Sequence, residues 1–264
     1  MRISAAERLE GRSVSDRLML ILDTVAGRGG GVGLTRLAAL TGISKPTVHR
    51  LAGELTRHGL LAQDADGSYR LGLHLFELGQ QVPASRRLRD VALPLMSDLL
   101  QATQEIVQLG VLDGTDVVYV EKLTGPHSIR APSAVGSRLP AYRSALGKAI
   151  LAFSNEERVE AVLRAPMPAV TSATITSPDR LLRELDAVRV HSLAYDRGET
   201  HPGIVCVGAP ILDQQGVAIA AISITGPPQR LRIQQVAMAV RTAALSISRT
   251  LSFPALPTRP APSK

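Results

Sequence analysis

The stretch that decides the fold is Leu34–Gly59, LTRLAALTGISKPTVHRLAGELTRHG. Leu34, Leu37, Ala38 and Thr41 recur at the i, i+3, i+4, i+7 spacing of one helix face, and Gly42 can take the left-handed conformation that ends a helix. Ser44 is of the type that caps the next helix, and Pro46 falls in its first turn, where a missing N–H costs no hydrogen bond. Two short amphipathic helices joined by a tight turn make a helix-turn-helix.

On the second helix, steps of about 100° put Val48, Leu51, Ala52 and Leu55 on one face and His49, Arg50, Gly53 and Arg57 on the other. The first face packs. The second carries the long donors Arg50 and Arg57, while Lys45, Thr47 and His49 crowd the N-terminal end that a recognition helix presents to base edges. A helical hairpin with a solvated basic face is the competing reading of this stretch alone. The residues after Gly59 weigh against it: Leu60-Leu61-Ala62, a turn at Asp64–Gly67, and Ser68–Gly72 read as a β-hairpin, the wing of a winged helix-turn-helix. Leu60 and Leu71 are expected to close its small core, with Arg70 free to touch phosphate. The DNA-facing set is then Arg36, Ser44, Lys45, Pro46, Thr47, His49, Arg50, Arg57 and Arg70.

The 264 residues suffice for one small and one ordinary domain, and 45% hydrophobic content supports real cores. Thirty basic against 23 acidic side chains give +7, which suits a polyanionic partner without identifying it. One cysteine excludes an intramolecular disulfide framework and fits a reducing compartment. No apolar h-region opens the chain and no run approaches the roughly 20 apolar residues of a membrane helix, so a cytoplasmic protein without membrane association is expected.

In chain order, residues 1–13 are polar. A helix from Val14, with Leu18, Ile21, Leu22 and Val25 inward, ends at Gly27-Arg28-Gly29-Gly30-Gly31, which lacks the ending of a phosphate loop and reads as a turn. Past the wing, Leu73–Gln81 should be helical, Val82-Pro83-Ala84 interrupts, and Ser85 restarts a helix bearing Leu88, Val91, Leu95 and Leu99. Arg86, Arg87 and Arg89 at its start read as a solvated linker face rather than a phosphate contact. Next come a hairpin Ile106–Leu112/Val117–Leu123, a helix from Ser144 to Phe153, helices Asn155–Leu163 and Pro178–His191, a second hairpin Ile204–Leu212/Val217–Thr225, and a long helix Leu231–Leu251. A proline-bearing tail, 254–264, is expected to be disordered.

The winged motif, VGSRLPAYRSALGKAILA (135–152), RVHSLAYDRGETHPGIVCVGAPILD (189–213) and AAISITGP (220–227) together resemble the IclR-type transcriptional regulators. The resemblance covers Val14 to Leu251. It implies an α+β protein with an N-terminal winged helix-turn-helix and a C-terminal GAF-like effector-binding domain joined by a helical linker, acting on operator DNA as a homodimer or tetramer. The boundaries are then 14–76 for the DNA-binding domain (helix-turn-helix 34–59, wing 60–72), 77–90 for the linker, 91–253 for the effector domain and 254–264 for the tail. Ser192-Leu193 stand where many members have Gly-Tyr, Tyr142 where a histidine is frequent, and Gly198 where an acidic residue is common. Asp196, Glu199, Gly203 and Cys206 keep the pattern.

In the family the effector lies between the Leu139–Lys148 segment and the late strands, which implies Leu139, Ser144, Ala145, Leu146, Asp196, Ile204, Cys206, Ser223 and Thr225 as its surroundings. The residues supply a physical reason. The helix start at Ser144, Ala145 and Leu146 offers free N–H groups to a carboxylate, and strand alternation puts the Ser223 and Thr225 hydroxyls on one side. A small organic acid is the expected effector. The alternative is that Ser144 only caps and that Ser223 and Thr225 face solvent. Cys206, among Ile204, Val205 and Val207, reads as a small hydrophobe. Asp196, Glu199, His201 and Cys206 are metal-ligand types without a zinc spacing, with Glu199 and His201 expected to face water, so no metal and no cofactor are expected. The opposing functions are a hydrolase using Ser144 or Cys206, for which no GxSxG, HExxH or Walker sequence exists, and a ligand-independent DNA-architectural protein.

Overall fold

A computed structural model describes residues 13–126, 128, 129, 131 and 133–252, with the side chains of 83–85 excepted. The expectations for residues 1–12 and for the tail at 254–264 lie outside the described residues. The chain forms two compact units that divide between Pro83 and Ala84.

In the first unit, α1 (Val14–Ala26) starts on a reciprocal cap: the Asp16 N–H donates to Ser13 Oγ and the Ser13 N–H to Asp16 Oδ2. α2 (Leu34–Thr41) ends at Gly42, whose φ of 70° is the left-handed stop expected there. α3 (Lys45–Arg57) begins with Pro46 in its first turn, but Ser44 does not cap it through its side chain: the hydroxyl instead donates to Thr47 Oγ1 at 2.9 Å. Ile21, Leu37, Val48, Leu51, Ala52 and Leu55 form the core on which the three helices converge. The wing, β1 (Leu61–Gln63) and β2 (Tyr69–Leu71), pairs Leu61 with Leu71, and Val32 adds a bridge to Tyr69. Leu61 and Tyr69 are the wing's core residues; Leu71 is 40% exposed, against expectation, and Leu60 only half-buried. Leu61, directly opposite it in the ribbon, fills the core at that end, so Leu71 is left at its edge.

α4 (Leu73–Gln80) has no buried residue, and Leu73, Phe76 and Leu78 are exposed. α5 (Pro83–Thr103) starts at Pro83, two residues before the expected restart, since proline suits a first helical turn.

The second unit is a six-stranded antiparallel sheet of order β5-β4-β3-β8-β7-β6: β3 (Ile106–Asp113), β4 (Asp116–Leu123), β5 (Arg138–Pro140), β6 (Ala194–Arg197), β7 (Val205–Leu212) and β8 (Ala218–Gly226). Two of these, β5 and β6, were not expected. Each is four residues or fewer and lies at a sheet edge, too short for a visible alternation. Residues of α5 and α9 (Ile233–Ser252) share one core with one sheet face through Val107, Leu109, Val207, Ile222 and Ile224. On the other face lie α6 (Ala145–Leu151), α7 (Glu156–Arg164) and α8 (Pro178–His191). Strand alternation sends odd β3 and even β8 residues to the α5/α9 side, leaving Gln108, Ser223 and Thr225 for the α6 side.

Every residue of α6 is buried, and the helix stops at Leu151 rather than Phe153. Its Ser144 cap accepts the Gly147 N–H at 2.9 Å. Gly147 is required by close approach: a Cβ there would stand 2.2 Å from the Ala141 carbonyl oxygen in the 3₁₀ turn Ala141–Arg143. Gly147→Ala should therefore force that backbone contact apart at a cost of about 1–3 kcal/mol, read as a lowered urea midpoint. An unchanged midpoint would show that the turn yields freely.

Candidate functional site

In the first unit the basic side chains named from the sequence are on one surface class but not in one state. Arg36, Lys45, His49, Arg50, Arg57 and Arg70 are exposed, with Ser44 and Pro46 exposed and Thr47 half-buried at the start of α3. Arg50 donates to Glu54 at 2.6 Å, one helical turn on, and Arg70 to Asp64 at 2.6 Å across the wing turn. Exposed pairs of this kind contribute only about 0.2–1 kcal/mol, so a phosphate or guanine edge competes easily for either guanidinium. Arg89, at the start of α5, is fixed by two hydrogen bonds to Glu121 and is not a free linker charge.

The second unit contains a small pocket between the sheet and α6. The nine residues named from the sequence all line it: Leu139, Ser144, Ala145 and Leu146 from the α6 side, and Asp196, Ile204, Cys206, Ser223 and Thr225 from the strands and the loop between β6 and β7. Gln108, Tyr119, Ala131, Ser133 and Thr200 complete the wall. Gln108 was missed because its contribution depends on strand pairing, in which it stands opposite Ser223. The ladder also puts Asp196 opposite Cys206 and Cys206 opposite Thr225, so three side chains on three strands form one row.

The hydroxyls differ in their freedom. Ser144 Oγ accepts from the helix, which leaves its proton to give. Thr225 Oγ1 lies 2.9 Å from Gln108 Oε1 and 3.1 Å from Cys206 Sγ, and its single proton serves one at a time. Gln108 in turn donates to Ser133 Oγ at 2.5 Å. Ser223 and Thr225 are 1% and 2% exposed, which rejects the solvent-facing alternative. Burial pushes the Cys206 thiol up, so it is a lining group and not a ready thiolate.

Beneath the cavity lies a group that sequence reasoning missed. Lys148 is fully buried, and its ammonium donates to Glu199 at 2.6 Å and lies 3.4 Å from Glu184. Glu199 is buried, not water-facing as expected, whereas His201 is exposed. Lysine is normally a surface residue, which hid this one. The signal was its setting in ALGKAILA, a helix with no polar face to carry it. The loop is pinned further: the Glu199 N–H donates to Asp196 Oδ1 at 2.6 Å, and Thr171 and Thr174 donate to the carbonyls of Gly198 and Glu199 at 2.7 Å each. Two buried atoms, Glu199 Oε2 and Arg143 Nε, find no partner among the described residues. Also among the described residues, no cluster of His, Cys, Asp and Glu can hold a metal ion.

The first unit has the architecture of a winged helix-turn-helix DNA reader, and the second holds a cavity lined by apolar side chains together with hydroxyls and a carboxylate. Residues 15–65 match the family model for the IclR helix-turn-helix domain, and residues 80–249 that for the bacterial transcriptional regulator IclR C-terminal domain. The chain belongs to the IclR family of transcriptional regulators, and its role is regulatory, not enzymatic. It is 36% identical over 224 residues to the HTH-type transcriptional regulator KipR of Bacillus subtilis, covering 83% of this chain and 90% of that protein. With the HTH-type transcriptional regulator KdgR of Escherichia coli it shares 34% identity over 227 residues, 84% of this chain and 86% of that one. Among solved structures, an IclR homolog from Microbacterium hydrocarbonoxydans, complexed with 4-hydroxybenzoate, superposes with a TM-score of 0.83 at 30% identity, covering 90% of this chain and 99% of that one. The Thermotoga maritima IclR gives 0.76 at 32% identity, over 90% and 98% of the two chains. No helix among the described residues is long and apolar enough to cross a membrane.

Burial raises the Asp196 carboxyl above its usual range, opposed in part by the Thr200 hydroxyl, the Glu199 N–H and the Lys148 charge. A folded-state value above the unfolded one stabilises the protein below the ordinary carboxyl range, and that stabilisation is lost as pH rises through the raised value. Asp196→Asn mimics the protonated form and keeps an oxygen for the loop N–H groups. The variant should match the parent in urea unfolding near pH 3 and exceed it near pH 7. A variant less stable than the parent near pH 7 would mean that the ionised carboxylate is a net stabiliser.

Proposed function

We propose that the chain binds operator DNA through α2, α3 and the wing, and that a small carboxylate in the second unit's cavity changes its operator affinity. The functional division is 14–76 for DNA binding, 77–90 for a linker and 91–253 for a GAF-like effector domain, a reading supported by the antiparallel sheet covered by helices on both faces. The observation that carries the effector reading is the convergence of Ser144 from α6 with Ser223 and Thr225 from β8 on one buried cavity. Ser144 and Ser223 have protons to give, and the first N–H groups of α6 lack intrahelical acceptors. The 4-hydroxybenzoate bound by the Microbacterium homolog supports the same ligand class.

Replacing Ser223 and Thr225 by alanine and valine should weaken effector binding at least tenfold and leave DNA affinity without effector nearly unchanged. Calorimetry with a panel of organic acids, 4-hydroxybenzoate included, and operator binding on the same variant decide this. Unchanged acid affinity would reject the cavity as the effector site. Tight binding that leaves the parent's operator affinity unmoved would reject the coupling, since a ligand shifts an equilibrium only by its differential affinity for the two states.

On the DNA side, Arg50→Ala should cost about 1–3 kcal/mol with loss of base preference, and Lys45→Ala should weaken binding evenly across sequences. Footprinting affinities unchanged in both folded variants would reject α3 as the recognition helix. The exposed apolar side chains Leu73 and Phe76 of α4 support a homodimer on a two-fold related site. Sedimentation showing only monomer at concentrations that saturate the operator would exclude it.

A further inference from the structure

We infer that Lys148 is a positioning residue for the effector site: its ammonium, bonded to Glu199, locks the start of α6 to the loop between β6 and β7 and so sets where the Ser144 hydroxyl stands relative to the hydroxyls of β8. The inference rests on the effector function proposed for the cavity and adds a residue that lies beneath it. Lys148 follows Ser144 by one helical turn, so the two side chains leave the same face, and the Lys148 N–H donates to the Ser144 carbonyl at 2.9 Å. The ammonium donates to Glu199 at 2.6 Å. On the other side of Ser144, the Thr200 hydroxyl donates to the Arg143 carbonyl at 3.0 Å. Two successive loop residues thus grip the chain before and after Ser144. The loop is itself fixed, since Thr171 and Thr174 donate to the carbonyls of Gly198 and Glu199 and the Glu199 N–H donates to Asp196. The start of α6 cannot shift along the sheet without breaking one of these bonds.

Stability does not explain the pair. Two charges taken out of water recover their hydration only through complete hydrogen bonding, and apolar residues of similar volume are often as stable in their place or more so. Here the bonding is incomplete: Glu199 Oε2 finds no partner among the described residues, although Lys148 sits in a wholly buried helix whose other side chains are apolar. What an apolar pair would not supply is direction. Hydrophobic contact is non-directional and lets a short helix settle in more than one place, whereas an ammonium–carboxylate bond fixes one atom against another. Ser144 is where that matters. Its oxygen is committed to the Gly147 N–H at 2.9 Å, so the hydroxyl moves with α6, and a shift of about 1 Å loses its hydrogen bond to an acid that Ser223 also holds.

The test replaces the pair as a unit, Lys148→Met with Glu199→Leu, in the full chain. Calorimetry with 4-hydroxybenzoate, benzoate and butyrate, each beside its neutral amide, is read together with urea unfolding. The paired variant should keep or raise the parent's urea midpoint. It should bind the tightest of the three acids about tenfold more weakly, the worth of one hydrogen bond to an ionised group, and lose about threefold or more of the parent's preference for that acid over its amide. Glu199→Gln, which keeps an oxygen for the ammonium, should stay within about threefold of the parent's affinity, because position and not charge is what the pair supplies. A paired variant that does not fold overturns the inference, since stability is then the pair's role. Unchanged acid affinity, an equal loss for acid and amide, or a Glu199→Gln loss as large as that of the paired variant overturns it as well. If acid binding falls in Ser223→Ala and not in the paired variant, the effector site stands and this inference alone falls. If none of the acids binds the parent, or binding ignores Ser223, the effector function falls and takes this inference with it.

Discussion

The buried ion pair between Lys148 and Glu199 is the interaction on which the second unit's site depends. An ammonium with no solvent contact is tolerable only against a carboxylate, and removing either partner of such a pair typically costs about 3–5 kcal/mol. The pair joins two walls distant in the chain, which the Thr200 hydroxyl, donating to the Arg143 carbonyl at 3.0 Å, also ties together. Lys148 lies one turn beyond Ser144, whose carbonyl accepts the Lys148 N–H at 2.9 Å, so the cap of α6 is tied to the ammonium. Glu199 lies three residues after Asp196 and donates to it through its backbone. The pair thus holds the capping serine and the cavity's carboxylate in one rigid arrangement. Burial raises Glu199 above the usual carboxyl range in spite of Lys148, which shows how incompletely one ammonium offsets the loss of water.

The DNA-binding unit works under the opposite constraint. Its charged side chains are exposed, and the ion pairs of Arg50 and Arg70 are local and weakly held. Such groups exchange partners when a polyanion arrives, whereas those around the cavity cannot rearrange without leaving a buried charge unmatched. A rigid sensor site and a surface of loosely committed donors are what a ligand-responsive DNA-binding protein requires. A ligand is best discriminated by buried groups held in place, and a nucleic acid is met by side chains that still carry their water and counterions.

Much of this architecture is written in short-range pattern. The helix face Val48, Leu51, Ala52, Leu55, the stop at Gly42, the cap at Ser144 and the paired strands on either side of Asp113–Asp116 and Asp213–Gly216 follow from periodicity and turn chemistry, because both act within a few residues. The alternation that aligns Ser223 with Thr225 is equally local. The nine cavity residues were legible through the family motifs they sit in, since no local rule joins Leu139 to Ile204.

Tertiary structure decided what depends on partners distant in the chain. Lys148 and Glu199 are 51 residues apart, and neither betrays its burial locally, because a charged residue is placed inside only when a remote group neutralises it. Gln108 enters the cavity because β3 pairs with β8, 117 residues away at Thr225. Leu71 is left at the edge of the small core because Leu61 opposite it fills that end, and β6 exists because β7 offers it an edge. The sequence by itself determined the helices and the longer strands, though not the short edge strands β5 and β6, and which protein family they compose. Which charges are buried, which hydroxyls still have a proton to give and which carboxylate lines the cavity were set by the long-range pairing of strands and the packing of α6 on the sheet, since electrostatic environment is a property of neighbours in space.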